Sequence, residues 1–312
     1  MFSIRKMGCD NLVAPALWAA VFILCTHSQS QPVEIPLEDP SHDYAFLEFE
    51  PFSNFKGTDT LNKSQPQNWR IADQISFPAG HLDGHLLFGS IKNTFIDRNI
   101  VYNGQELNDG LLQRYWLCGG IELLDSPGHT SYLMGAVGVN SDFADLNAGA
   151  WNSEWIYTHT FRVKPGFRWG LGLDIQQYSG RFIPMYPYLF HKIQIIPYPL
   201  ILLDWRISSK TKFVWDADFM ELRQFFTHKF ATTLGLRFNQ EFFALNNGAS
   251  YDFRSVGAEA GLQYSLWNHC YLRFKYKELL AGREVLGLPD GTLHLDKIRS
   301  GRSLRLNLAY GI

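Results

Sequence analysis

From Arg302 to the last residue, apolar and polar positions alternate one by one: Leu304, Leu306, Leu308, Tyr310 and Ile312 against Arg305, Asn307, Ala309 and Gly311. Successive side chains of an extended strand point to opposite faces, so this period of two predicts a strand with one apolar face and one polar face. The same period runs through Val256–Leu266, Tyr271–Lys277 and Phe230–Asn239. It recurs in Trp155–Val163 and Phe167–Ile175, which flank the turn residues Lys164-Pro165-Gly166 and so predict a hairpin. Less regular segments at Tyr44–Glu50, Trp69–Phe77, His85–Ile96, Arg114–Leu124, Thr130–Val139, Tyr198–Arg206, Thr211–Ala217 and Phe219–Thr227 bring the expected number of strands to fourteen.

Two architectures bury or cover such faces. In a soluble sandwich the apolar rows of two sheets pack on each other. In a closed transmembrane barrel they face lipid and the polar rows face a lumen. The polar rows here are rich in Gly, Ala, Thr and Ser with single scattered charges, which suits a crowded lumen. The apolar rows carry aromatic residues near strand ends (Trp155, Trp169, Tyr264, Trp267, Tyr271 and Tyr310), where a membrane interface would hold them. Connection lengths favour the barrel too, since short turns alternate with longer loops such as Asn140–Glu154, Tyr178–Pro197 and Leu280–Gly301. The abrupt connection near Asp218 breaks the alternation; were Thr211–Thr227 one bent strand, the count would be odd. The expectation is therefore an all-β, closed antiparallel transmembrane β-barrel of fourteen strands, with twelve as the alternative.

Composition adds a compartment. Arg5 and Lys6 precede an apolar run from Leu12 to Cys25 that is short for a membrane span, and Ser28-Gln29-Ser30 supplies small residues for cleavage. Residues 1–30 thus read as a signal peptide, 31–43 as a Pro-rich leader and 44–312 as the barrel. Leu24, preceding Cys25, is too large for the lipoprotein pattern. Cys118 and Cys270 remain, on strands well apart, and are expected as two unpaired thiols. A formal net charge of -2 gives no basis for nucleic-acid binding.

The segment Tyr198-Pro199-Leu200-Ile201-Leu202-Leu203-Asp204-Trp205-Arg206 has a Pro, an apolar run and a Trp, then a tight turn and another strand. Together with the export signal and the terminal strand, it resembles an uncharacterised family of Gram-negative outer-membrane β-barrel proteins. The resemblance covers the carboxyl two thirds of the chain. It implies the barrel, outer-membrane lipid as surroundings, and the barrel-insertion machinery as the reader of the final strand. That strand usually closes on an aromatic residue in these proteins, and Ile312 departs from this. The resemblance supplies no catalytic or binding residues.

Motifs for chemistry are sparse. His81 and His85 are four apart, but Leu82 stands where a zinc protease needs Glu, and Pro78 and Gly84 predict a turn rather than a helix. Ser153 and His159, with Thr158 nearby, are a candidate hydrolytic pair on a barrel rim, without the G-x-S-x-G elbow. Gly135-Ala136-Val137-Gly138 belongs to a strand and not to a phosphate-binding turn. The lumen is the remaining candidate. Its clearest rows hold Arg162, Arg168, Arg237, Arg273, Lys275, Lys277 and Arg305, against Asp174 and Glu259 alone. Positive charge in a water-filled barrel would favour an anionic solute. Alternatively, these residues pair with acids, including Asp142 and Asp145, and hold the barrel together. Lys297, Arg299 and Arg302 would stand at the mouth. The expected function is passage or binding of a small solute, without a cofactor. The alternative is a surface-interaction barrel acting through Tyr178–Pro197, which carries Phe182, Met185, Tyr186 and Tyr188; a lipid-modifying enzyme is a third reading.

Overall fold

In the computed structural model the described residues are 43–51, 53–57, 69–108, 110–126, 128–142, 150–179, 193–216, 218–245, 248–267 and 270–311. The signal peptide, nearly all of the leader, Asp145, Ile312, and Phe182, Met185, Tyr186 and Tyr188 lie outside them. In chain order the strands are β1 (Asp43–Glu50), β2 (Ser53–Gly57), β3 (Trp69–Leu82), β4 (His85–Asp97), β5 (Val101–Tyr102), β6 (Gln105–Glu106), β7 (Leu111–Ser126), β8 (His129–Ser141), β9 (Trp151–Lys164) and β10 (Phe167–Ser179). They continue with β11 (Ile193–Arg206), β12 (Thr211–Asp216), β13 (Phe219–Phe225), β14 (Phe230–Ala244), β15 (Ser250–Trp267), β16 (Cys270–Gly287) and β17 (Leu293–Gly311).

Each neighbour along the main sheet is antiparallel to the next, and β1 pairs with β17, so the sheet closes on itself as a fourteen-strand barrel. Closure satisfies every strand edge along the seam, which a membrane core demands because lipid offers no hydrogen bonds. The seam is made in two steps. Ala45–Phe49 pairs with Leu306–Tyr310, and past Pro51 the short β2 continues along Ile298–Ser303 of the same strand. Proline cannot donate to a ladder, so the first strand breaks there.

The turns after β3, β7, β9, β11, β13 and β15 all fall at one rim. Asp83 and Gly84 both have positive φ (50° and 86°), the two-residue turn whose twist matches antiparallel strands. At that rim β1 also begins and β17 ends, paired as Asp43 with Gly311. The longer connections lie at the other rim, here called outer. All fourteen expected strands are present. The expected long loop at Leu280–Gly301 is instead strand on both sides of a tight turn, because β16 and β17 run on well past Lys277 and Arg302. The alternation missed this since Gly282, Gly287 and Gly301 interrupt the apolar rows. The Asp218 connection is a true turn: β12 and β13 are separate strands, paired from Thr211–Gln224 to Asp216–Phe219.

Large apolar side chains stand on the outside: Trp155 is 53% exposed, Tyr264 46% and Leu308 41%. Charged side chains are inside: Glu48, Asp204, Lys212, Glu221, Glu259 and Arg305 are all buried. This is the reverse of a water-soluble protein and the pattern of a transmembrane barrel. Cys118 and Cys270 are both free thiols.

Candidate functional site

The interior is divided unequally. β14 pairs with β13 only up to Arg237, after which the Phe238 amide donates to the Asp218 carbonyl (2.7 Å). Its outer end then crosses the mouth. Ala244 pairs in parallel with Ser141 of β8, and the Asp142 amide donates to the Ala244 carbonyl at 3.3 Å. At that level β14 to β17, β1, β3, β4, β7 and β8 form one ring of nine strands, and β9 to β13 form a five-strand side beyond it.

The nine-strand side is filled. Its outer part holds an apolar cluster of Ile96, Ile100, Leu112, Phe243, Leu245, Tyr251, Phe253, Leu279, Leu286 and Ile298. The connection from β4 to β7 folds into this ring. Asn108 staples it, accepting from the Ile100 amide (2.7 Å) and donating to the Arg98 carbonyl (2.8 Å). Arg98 ion-pairs with Glu284 inside the cluster, and its guanidinium lies over the rings of Tyr251 and Phe253 at 5.2 and 5.3 Å. The Tyr251 hydroxyl donates to the same Glu284 carboxylate at 2.9 Å. A buried charge held by a counter-ion, a hydroxyl and two ring faces has its desolvation offset on several sides.

Beneath the cluster, ion pairs cross the lumen. Arg305 meets Glu259 (2.9 Å), Glu48 (3.4 Å) and Glu50 (3.7 Å). Arg70 of β3 meets Glu48 at 2.5 Å and, from β14 across the barrel, Glu241 at 3.3 Å. Lys275 pairs with Glu221 of β13 and lies 3.6 Å from Glu259. Of the residues expected in the lumen, Arg305, Lys275, Glu259 and Arg168 are thus placed together with carboxylates. Lys277 is buried beside them on the row facing Glu259. Arg237 is half-buried on the inward row of β14 opposite Phe219. Arg273 donates to Gln263 at 3.1 Å and lies over the Tyr271 ring, while Arg162 is exposed beside the Pro165-Gly166 turn.

The acids that neutralise this lumen escaped the reading of the clearest strands, which gave seven bases against two acids. Glu48, Glu50, Arg70, Asp204, Lys212, Glu221, Arg223 and Glu241 sit on strands of weaker alternation. The signal was there in Leu47-Glu48-Phe49-Glu50, where each acid follows an outward apolar residue.

The five-strand side is lined differently. At its inner end Asp204 lies between Arg168 (3.4 Å) and Lys212 (3.3 Å). Above it the inward row of β11 turns apolar with Leu202 and Leu200, opposite Gly170 and Gly172 of β10. A Cβ at Gly172 would stand 2.5 Å from the Tyr157 carbonyl and 3.3 Å from the Leu200 Cβ, so only glycine admits this approach. Val214 pairs with Asp204 one level below, Phe219 faces Asp216 at the top of the β12–β13 hairpin, and Ile156 pairs with Asp174 above. Higher still, the Gln176 amide donates to Asp174 (2.7 Å) and to Glu154 (3.0 Å). No cation meets either of these two carboxylates among the described residues.

The other sequence candidates separate. His81 and His85 are exposed at the β3–β4 turn and not opposite each other, since His85 pairs with Leu82 and His81 with Leu86. Ser153 bonds Gln177 (3.3 Å), not His159; His159 Nδ1 is 2.5 Å from Ser131 Oγ, on the outward row beside His129 and Phe161. That bond satisfies both polar groups on the lipid-facing surface. Asp142 lies at the crossing of β14 and β8. Arg302 pairs with Glu278 at 3.5 Å on the outside, and Lys297 is exposed.

No family model matches the chain, and no curated protein matches it. The solved structures it is similar to are bacterial outer-membrane β-barrels. The Pseudomonas putida toluene transporter TodX is 8% identical, with 91% of this chain and 92% of that chain covered and a TM-score of 0.34. The β domain of the Bordetella autotransporter BrkA is 13% identical over 86% and 98%, at 0.37, and the Escherichia coli outer-membrane protease OmpT is 9% identical over 86% and 93%, at 0.24.

Proposed function

We propose that this barrel, in a bacterial outer membrane, binds or passes a small solute through the five-strand side of its lumen. The observation that carries the reading is the contrast in filling. The nine-strand side is occupied by its own loop, its apolar cluster and lumen-crossing ion pairs. The five-strand side presents a charged floor at Asp204, an apolar belt at Leu200 and Leu202, and the two carboxylates of Asp174 and Glu154 above.

The preference for anions expected from the basic rows gives way here, since Arg305, Lys275 and Arg168 face carboxylates. Ion selectivity follows the charge left over along the path, and Asp174 with Glu154 makes that charge negative. Purified protein in planar bilayers tests this. Conductance with a reversal potential favouring cations, moved toward anions by Asp174→Asn with Glu154→Gln, supports it. Absence of conductance together with absence of saturable solute uptake into protein-containing vesicles would sink it.

A further inference from the structure

We infer that the five-strand side opens sideways to the outer leaflet, through a notch above the β12–β13 hairpin, and admits there the hydrocarbon chain of an amphiphile dissolved in the membrane. The inference deepens the preceding reading and rests on it for the solute's destination, but the opening itself stands on separate observations.

The first is length. β12 has 6 residues and β13 has 7, whereas the flanking β11 and β14 have 14 and 15. At ~3.3 Å per residue and a tilt of ~40°, six or seven residues rise roughly 15–18 Å, against an apolar band of ~25 Å. The hairpin therefore ends inside the band. The outward row of β11 agrees: Leu203 pairs with Trp215 of β12, and Ile201, 45% exposed, and then Pro199 follow above.

The second is edge chemistry. Among the described residues, β11 pairs with β12 only from Leu203 to Arg206, and above that it has β10 on one side alone. An open strand edge in hydrocarbon leaves donors without partners, which membrane proteins avoid. Here Pro197 and Pro199 fall on that stretch, two apart, each facing β10 in register with Ile175 and Leu173. Residues two apart in a strand direct their N–H groups the same way, and prolines in sheets keep to edges. Two of the donors that the edge would turn toward lipid are thereby removed.

The third is what lies within. Passing the notch, the inward side chains met first are Leu202 and Leu200 on β11 and, at the hairpin's top, Phe219 beside Asp216, with Val214 fully buried below them. On the far side β14 leaves β13 after Arg237 for β8, so among the described residues the gap above the hairpin is not bridged by a paired strand. An apolar patch behind an opening in the hydrocarbon band suits an alkyl chain.

The experiment places bimane at single cysteines in the full chain with Cys9, Cys25, Cys118 and Cys270 all replaced by Ser. The labelled sites are Leu202→Cys and Phe219→Cys, with Ile201→Cys as the lipid-facing control and Ser255→Cys as the inward control on the nine-strand side. Folded protein, verified by its heat-dependent electrophoretic shift, is placed in phosphatidylcholine vesicles with both acyl chains brominated midway. Quenching at Leu202→Cys and Phe219→Cys should match Ile201→Cys and exceed Ser255→Cys several-fold. Quenching at both sites no greater than at Ser255→Cys overturns the notch; if one variant does not fold, the other decides. Saturable binding of N-phenyl-1-naphthylamine, lost in Leu202→Trp, reads the solute site alone. Its absence with inward quenching intact removes the proposed function and leaves the opening standing.

Discussion

The two sides of the lumen are made from the same kind of strand yet are lined in different ways. On the nine-strand side, desolvated charges are matched across the barrel: Arg305 touches acids on two other strands, and Arg70 spans from β1 to β14. On the five-strand side, charge pairing is gathered at the inner end, where Asp204 meets Arg168 and Lys212 and Glu221 meets Arg223 and Lys275, and Leu202 and Leu200 follow above on β11. The first arrangement rigidifies, because each ion has several partners that must all move together. The second offers an apolar patch where the proposed solute would sit. The inward crossing of β14 is what divides the fourteen-strand barrel into these two sides.

The sharpest way to break this contrast is at Arg305. Arg305→Ala removes the cation shared by Glu48, Glu50 and Glu259, leaving Arg70 and Lys275 alone to balance them, and should lower unfolding stability by about 3–5 kcal/mol. Arg168→Ala, on the more accessible side, should cost about 1 kcal/mol or less. Denaturant unfolding of detergent-solubilised protein, followed by tryptophan fluorescence, measures both; equal losses would erase the distinction. Next in size is Pro199→Val, which restores an N–H on the open edge of β11. With no partner in hydrocarbon, that group should cost about 1–3 kcal/mol by the same measurement. Unchanged or greater stability would mean that the edge is covered. The smallest effect belongs to the crossing itself. With the native cysteines replaced, Ser141→Cys and Ala244→Cys should form a disulfide on mild oxidation and leave stability and conductance nearly unchanged, since the two positions already pair. Thiol titration and gel mobility read the bond; persistent free thiols would show that β14 does not reach β8.

The fold was largely legible because a period of two is imposed on each strand by lipid on one side and protein on the other. Where lipid faces the strand strongly, as at Val256–Leu266 or Leu304–Tyr310, the strands were evident and their inner ends came out well, although β15 begins at Ser250 and β17 at Leu293. Where glycines thin the apolar row, at Gly282 and Gly301, strand was mistaken for loop. The lumen was less legible. Its charges come from strands remote in sequence, such as Glu221 meeting Lys275, and neither residue carries a local sign of the other. The division into two sides was invisible: the alternation of β14 ends near Asn239, at Gln240-Glu241 and Phe242-Phe243, and nothing in that stretch says that the strand bends inward to β8. That Pro197 and Pro199 lie on an open edge emerges only once β12 is known to stop short.

The turn joining β16 to β17 stands on the rim opposite both strand ends, closed by the Leu288 amide donating to Thr292 at 2.9 Å, with Gly291 at a φ of 90°. A short epitope spliced between Asp290 and Gly291 would therefore be displayed to the surrounding medium, and antibody staining of intact cells would reveal which way the molecule is threaded.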